Sequence, residues 1–234
     1  MQQQNFLANE YDLIIKKFLQ EYNKPVKTPY LIGVYGGSGS GKTFVSGVIS
    51  DTIKYIFNNE ECKNVVTISQ DSYYKGGDAD SNYDIPDAID FDLLVNNIQK
   101  LLDGKPIDCP IYDFVSHKRK YETVRISPSK IIIIEGILIC TNEKLRNLLN
   151  MKIFVDASES TQVFRRIKRD TADRGRTIDE VQHRYQRDVA PSYNQYVKPS
   201  AIYANMTINN NGENYVGIEA VLNHVITILN KVCN

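Results

Sequence analysis

Eight consecutive residues, Gly36-Gly37-Ser38-Gly39-Ser40-Gly41-Lys42-Thr43, combine backbone freedom, a positive charge and a hydroxyl oxygen in the order that holds a polyphosphate. They satisfy the phosphate-loop pattern G-x-x-x-x-G-K-[ST] at every required position. Glycines let the chain curl until backbone N–H groups converge on an anion, and a helix N-terminus adds its positive dipole end. Lys42 is suited to the β- and γ-phosphates of a nucleoside triphosphate, and the Thr43 hydroxyl to Mg²⁺. A merely structural glycine-rich turn is the alternative, and the flanking sequence disfavours it. The strand-like run Tyr30-Leu31-Ile32-Gly33-Val34 precedes the loop, and a helical segment follows from Phe44.

Two carboxylates have the placement that phosphoryl transfer needs. Asp71 lies just past the β-branched run Val65-Val66-Thr67-Ile68-Ser69, and Glu135 just past Ile131-Ile132-Ile133-Ile134. In a parallel sheet both project toward the rim that carries the phosphate loop. Glu135 suits a Mg²⁺-side carboxylate. Asp71 suits a base that orients an acceptor hydroxyl, with a contact to the metal through water. Taken alone, an acid after a strand is a solvated loop residue or a helix cap; the neighbouring phosphate loop shifts the balance toward function.

Charge is also segregated along the chain. From Asp71 to Asp92 there are seven aspartates and one lysine, whereas Arg165 to Arg187 holds eight basic and four acidic residues. Such runs are usually solvated helix faces, the reading adopted for Lys168 and Arg187. Arg174-Gly175-Arg176 differs, because the glycine frees the backbone to aim two guanidinium forks at one anion. Arginines on a helical lid can stabilise a transferring phosphoryl group and exclude water.

The elements that must position these groups alternate between strand and helix. Apolar residues at three-and-four spacing predict helices over Asn5 to Tyr22, Phe44 to Phe57, the segment after the cap Asp90 up to Gly104, Thr161 to Arg174, Ile178 to Tyr196, and a C-terminal segment with Ile218, Val221, Leu222, Val225, Leu229 and Val232 on one face. Strands are predicted at Tyr30–Val34, Val65–Ser69, Ile131–Ile134, Met151–Val155 and Met206–Ile208. Lys105 to Ser127 alternates like a hairpin or two. This order implies an α/β fold with a parallel sheet covered on both faces.

Composition bounds the partners. The chain has 234 residues, with 28 basic and 28 acidic side chains that cancel, so no global field recruits nucleic acid or an anionic membrane. No apolar run approaches the roughly 20 residues of a membrane span. The start Met1-Gln2-Gln3-Gln4 has no basic stretch leading into an apolar one, so no secretory leader is expected. Cys62, Cys109, Cys140 and Cys233 form no C-x-x-C pair and read as small hydrophobes of a reduced, cytoplasmic protein. With His117, His183 and His224 at unrelated spacings, a zinc site is not expected.

Further motifs carry a resemblance. In order, the chain contains the phosphate loop, Ser69-Gln70-Asp71-Ser72-Tyr73-Tyr74, Tyr83-Asp84-x-Pro86-Asp87-Ala88, Tyr112-Asp113-Phe114-Val115-Ser116-His117, Glu135-Gly136-Ile137-Leu138, and Arg165-Arg166 with Arg169-Asp170 and Arg174-Gly175-Arg176. Together, from about Tyr30 to about Pro191, these resemble the uridine-cytidine kinases. The resemblance implies a P-loop NTPase-type five-stranded parallel sheet with helices on both faces, a helical lid over about 165–190 and a β-hairpin over a nucleoside site. It implies ATP, or GTP, as phosphate donor with Mg²⁺, and transfer to the 5′-hydroxyl of uridine or cytidine. By the same resemblance Asp71 takes the hydroxyl proton and Asp84 accepts from the ribose hydroxyls. Tyr112 and His117 read the pyrimidine, and Tyr83 and Phe114 pack against it, with Tyr74 beside them. Arg166 and Arg176 hold the nucleoside, and Arg169 and Arg174 face the phosphates. Residues 1–28 form a helical extension to a kinase domain at 29–234. A homotetramer and feedback by UTP or CTP are also implied.

Two departures accompany the resemblance. Arg184 stands where the family usually carries a nucleoside-binding Gln, and Pro199-Ser200-Ala201-Ile202-Tyr203-Ala204-Asn205 lacks a basic residue and a carboxylate of the family pattern. Competing readings are a sister kinase of another small hydroxyl acceptor, such as phosphoribulokinase or pantothenate kinase, and a non-catalytic nucleotide-binding module. A switch GTPase is disfavoured by the lack of an N-K-x-D motif.

Overall fold

The structure, a computed structural model, describes residues 12–17, 19–20, 24–57, 65–78, 80–212 and 214–233; the side chains of 232 and 233 are not described. Five parallel strands form the central sheet: β1 (Tyr30–Tyr35), β2 (Val65–Ser69), β5 (Ile131–Gly136), β6 (Met151–Asp156) and β7 (Met206–Asn209), in the order β2-β5-β1-β6-β7. A separate antiparallel hairpin pairs β3 (Ile107–Asp113) with β4 (Lys118–Ile126). The alternating segment between 105 and 127 is thus a single hairpin.

Period-two geometry sends alternate side chains of each strand to opposite faces, and two cores result. Leu31, Tyr35, Ile132 and Ile134 pack on one face with Leu94, Ile98 and Leu101 of α2 (Phe91–Leu102). Ile32, Val34, Ile131 and Ile133 pack on the other with Val45, Ile49 and Ile53 of α1 (Lys42–Ile56) and with Val221, Val225 and Leu229 of α6 (Tyr215–Cys233). Ile131 to Ile134 are all 0 % exposed, which explains why this strand reads as an unbroken apolar run. Burying each such side chain is worth about 1.5–3 kcal/mol. The remaining helices are α3 (Glu143–Leu148), α4 (Glu159–Asp173) and α5 (Ile178–Arg184).

Local signals set several boundaries. Asp90 caps α2 by accepting from the Leu93 N–H at 3.0 Å, and Gly104 follows its end at φ +74°. Ser158 caps α4, so that helix starts at Glu159, two residues before the predicted Thr161. α5 opens on a capping box between Thr177 and Glu180. The chain then continues as helix beyond the predicted end at Tyr196, to Ser200, through two π turns at Tyr185–Val189 and Tyr193–Val197. Pro191 and Pro199 lie just beyond these turns. A proline ring collides with the carbonyl four residues back, and the wider turns let the helix continue past it.

At the N-terminus, residues 12–17 and 19–20 are helical, and Leu13, Ile14, Ile15 and Leu19 are exposed. The rest of the predicted Asn5–Tyr22 helix, including Phe6, Leu7, Tyr11 and Phe18, lies outside the described residues. Cys109 and Cys140 are buried free thiols; Cys62 and the side chain of Cys233 lie outside the description.

Candidate active site

The phosphate loop leaves β1 at the centre of the sheet and turns into α1. Gly39 and Gly41 adopt φ of +86° and +92°, in the left-handed region that favours glycine. A Cβ at Gly39 would strike the Gln162 backbone of α4, and one at Gly41 the Asn210 side chain, so the loop is tightly sheathed. Its outer carbonyl, Ser40 O, accepts from Asn210 Nδ2 at 2.8 Å and Arg165 Nη1 at 3.3 Å. Lys42 and Thr43 lie in the first turn of α1, which therefore begins two residues before the predicted Phe44.

Sheet register brings Glu135 beside the loop. It pairs across with Val34 on one side and Ser69 on the other. Thr43 Oγ1 donates to Glu135 Oε2 at 3.0 Å, and Ser69 Oγ donates to Oε1 at 3.1 Å. A short 3₁₀ turn at Gln70–Tyr73 follows β2, capped by the Asp71 N–H donating to Ser69 Oγ at 3.3 Å. Asp71 thereby enters the pocket that also receives Lys42, Asp84, Arg166, Arg169 and Arg174. Thr43 and Glu135 offer the hard oxygens that Mg²⁺ accepts. Among the described residues no group of three or more His, Cys, Asp or Glu side chains is placed to hold a metal ion.

The other end of the pocket is aromatic. Tyr112 contacts Tyr74 and Phe114, with centroids 5.2 Å apart in each pair, and Tyr83 stacks on the His117 ring at 5.3 Å and 14°. Phe114 and His117 occupy the hairpin turn, and His117 has φ +56°. Tyr112 Oη is buried with no hydrogen-bond partner among the described residues. Burial, reinforced by the guanidinium groups of Arg184 and Arg176, holds the His117 imidazole below its usual range. It is therefore neutral at pH 7 and can donate or accept. Burial pushes the Asp84 carboxyl above its usual range; Arg166 opposes this and Asp71 adds to it. Arg184 lines the same pocket as His117.

The lid closes over this pocket. Ser38 Oγ accepts from Arg166 Nη1 at 3.0 Å and from Arg169 Nη2 at 3.5 Å, and the Arg174 guanidinium lies 4.7 Å from the Phe114 ring centre. All the residues singled out from sequence as substrate-facing, namely Tyr74, Tyr83, Asp84, Tyr112, Phe114, His117, Arg166, Arg176 and Arg184, line one pocket together with Lys42 and Asp71. Glu135 and Thr43 stand behind its floor.

Sequence reasoning missed the groups that hold this arrangement together. Arg119 of β4 donates from Nε to Tyr74 O at 2.7 Å and from Nη2 to Tyr73 O at 2.8 Å, and pairs with Asp90 at 3.1 Å, stapling the hairpin to the Asp71 turn. Asn82 accepts from the Asp84 N–H at 2.9 Å and donates to Ser192 Oγ at 3.2 Å, linking the acceptor loop to the long lid helix. Arg187 is exposed, as expected, and also pairs with Asp188 at 2.7 Å and donates to the carbonyl of Asp80 at 3.0 Å. Lys168 is exposed, as expected. Tyr185 bonds Glu159 at 2.8 Å, outside the nucleoside-facing pocket. In the variant segment before β7, Asn205 serves strand pairing: its Oδ1 accepts from the Lys152 N–H at 2.9 Å, and its own N–H donates to Lys152 O at 2.8 Å.

Comparison with known proteins agrees with this geometry. Residues 31–217 match the family described as "Phosphoribulokinase / Uridine kinase family". A uridine kinase of Lactobacillus johnsonii is 39% identical over 213 residues, covering 88% of this chain and 98% of that protein. A uridine kinase of Clostridium botulinum is 40% identical over 213 residues, with 88% and 100% covered. Among solved structures, a possible uridine kinase from Bacillus stearothermophilus superposes with a TM-score of 0.56 at 16% identity, covering 86% of this chain and 98% of that one. D-glycerate 3-kinase from Cryptococcus neoformans gives 0.55 at 19%, covering 74% and 81%. The structural likenesses establish a shared kinase fold; the extent of the family match and the identity to the curated relatives establish that this chain belongs to the phosphoribulokinase/uridine kinase family.

Proposed function

We propose that this chain transfers the γ-phosphoryl group of ATP to the 5′-hydroxyl of uridine and cytidine, giving UMP and CMP for pyrimidine salvage. The observation that carries the reading is one pocket in which Lys42 and Asp71 meet Asp84 and the ring-lined enclosure of Tyr83, Tyr112 and His117. A base-bearing nucleoside fits rings at one end and carboxylates toward the phosphate loop. A phosphorylated sugar or pantothenate has no use for the stacked Tyr83–His117 pair.

In this reading the 5′-oxygen attacks the γ-phosphorus in line, the bond to the leaving ADP oxygen breaks, and the hydroxyl proton passes to the Asp71 carboxylate. Asp84 accepts from the ribose hydroxyls, its charge supported by Arg166 against the cost of burial. Tyr112 Oη and neutral His117 meet the pyrimidine edge, with Tyr74, Tyr83 and Phe114 around the ring. Arg166 and Arg176 hold the nucleoside with Arg184 beside them. Lys42, Arg169 and Arg174 take the phosphates, along with the N–H groups of the Gly36–Thr43 loop. Thr43 and Glu135 would hold Mg²⁺, with Asp71 reaching it through water. When bound, the ion neutralises charge on the β- and γ-phosphate oxygens. GTP is a candidate second donor.

The finer assignments follow from the same reading: an N-terminal extension at 1–28 preceding the kinase domain at 29–234, a homotetramer, feedback by UTP or CTP, and a cytoplasmic setting suited to the free thiols of Cys109 and Cys140. No helix among the described residues is long and apolar enough to cross a membrane. The test is ADP release from Mg-ATP with a panel of nucleosides, ribulose 5-phosphate and pantothenate. Uridine- and cytidine-dependent ADP is the expected result. Turnover only with the other acceptors, or with none, overturns the reading.

A further inference from the structure

Asp170 is 0 % exposed and is surrounded by arginines. Its Oδ1 meets Arg169 Nε at 2.9 Å and Arg174 Nη1 at 3.3 Å; its Oδ2 meets Arg176 Nη1 at 3.4 Å and Arg166 Nε at 3.5 Å. The backbone repeats the tie, since the Arg176 N–H donates to Asp170 O at 3.1 Å. Local geometry explains the gathering. Arg166 and Asp170 stand four residues apart on one face of α4, and Arg174 follows four residues later at its end. Gly175, at φ +62°, turns the chain so that Arg176 comes back to the same carboxylate.

One carboxylate cannot neutralise four guanidinium groups. The cluster keeps three positive charges beyond what Asp170 cancels, and two of its members, Arg166 and Arg169, lie against Ser38 of the phosphate loop. Arg166 Nε is buried and has no hydrogen-bond partner of adequate geometry among the described residues. Burial works to raise the Asp170 carboxyl pKa, but the guanidinium groups of Arg169, Arg174 and Arg166 outweigh it and hold the carboxyl below its usual range, so it is ionised at neutral pH. Such a cluster is poor at stabilising a fold, because desolvating five charges offsets their attraction. It is well suited to holding donors in place for an incoming polyanion.

We propose that Asp170 is a positioning residue for phosphoryl transfer: it touches no substrate, and it fixes four arginines as one preorganised fan, Arg169 and Arg174 toward the terminal phosphates and Arg166 and Arg176 toward the nucleoside. This rests on the kinase reading above. Removing the anchor should cost transition-state stabilisation more than nucleoside binding. In the full chain, Asp170→Asn keeps shape and loses the charge. The expected result is a kcat lower by about 100-fold, with the KM for uridine raised only a few-fold through Arg166 and Arg176, and a lower melting temperature, because the guanidinium groups lose their buried counter-charge. The loss should also shrink to a few-fold when Asp170→Asn is placed in an Arg174→Ala background, since the two then act through the same group.

A folded Asp170→Asn protein with near-normal kcat overturns the proposal, as does an equal loss in both backgrounds. If that variant does not fold, Arg174→Lys decides: it keeps the charge but loses the fork held by Asp170, and a normal kcat refutes the fan. Binding of inorganic tripolyphosphate, followed by calorimetry without acceptor, separates this from the kinase reading. A wild-type protein inactive on uridine whose tripolyphosphate affinity drops at least 10-fold in Asp170→Asn refutes the acceptor assignment alone. Undiminished binding in that variant counts against Asp170.

Discussion

Tyr112→Phe separates what a hydroxyl does in the free protein from what it does with substrate. The change keeps the ring and its contacts with Tyr74 and Phe114. It deletes only Oη, which is buried near Tyr83 and makes no hydrogen bond of adequate geometry among the described residues. A hydroxyl in that state costs the fold about 1–3 kcal/mol. Because Tyr112 remains 9% exposed toward the pocket, the lower end, about 1 kcal/mol, is the better figure. Without ligand the variant should melt higher by about 2–4 °C for a domain of this size. With uridine the sign reverses. The wild-type hydroxyl gains a partner on the base and the variant does not, a difference of about 1.4 kcal/mol, or a tenfold rise in the KM for uridine. The KM for ATP should not move. Thermal melts without ligand, paired with steady-state kinetics in each substrate, read both effects. A lower melting temperature, or an unchanged uridine KM, would refute the argument that this hydroxyl waits for the base.

Three further outcomes are expected. Asp71→Asn should bind Mg-ATP with nearly normal affinity in a calorimeter and lose turnover by at least about 100-fold; normal turnover removes Asp71 from the base role. Because burial and two guanidinium groups keep His117 below its usual pKa, the neutral imidazole persists as pH falls through that range. The KM for uridine should therefore stay flat from about pH 8 down to about 6.5, the ordinary imidazole value, and rise only below it, and Arg184→Gln should move that rise to higher pH; an unmoved acid limb would show that Arg184 does not act on His117. Glu135→Gln keeps an acceptor for the Thr43 and Ser69 hydroxyls and gives up the charge, so the Mg²⁺ concentration for half-maximal activity should rise about 10-fold or more with little change in melting temperature; an unaltered Mg²⁺ requirement would argue against Glu135 as a ligand.

Much of the site was legible because its signals are local. The phosphate loop is a run of adjacent residues, Asp90 caps the helix that begins one residue later, and Glu135 ends a strand whose apolar run announces a central position. The hidden part depends on contacts between segments far apart in sequence. Arg119 reaches the carbonyls of Tyr73 and Tyr74 across 46 and 45 positions, and nothing in its neighbourhood marks it. Asp170 sits among arginines at four-residue spacing, a pattern that on most helices is an exposed ion-pair ladder. Its burial becomes visible only when α4 is laid over Ser38. The contact of the exposed Arg187 with Asp80 was hidden for the same reason, since that loop lies 107 residues earlier.

Asn82 has a consequence of its own. Its side chain belongs at once to the loop that carries Asp84 and, through Ser192, to the helix that continues the lid. Two parts that share a fastening do not move independently: a shift of that helix that breaks the Ser192 bond loosens the brace on Asp84 as well.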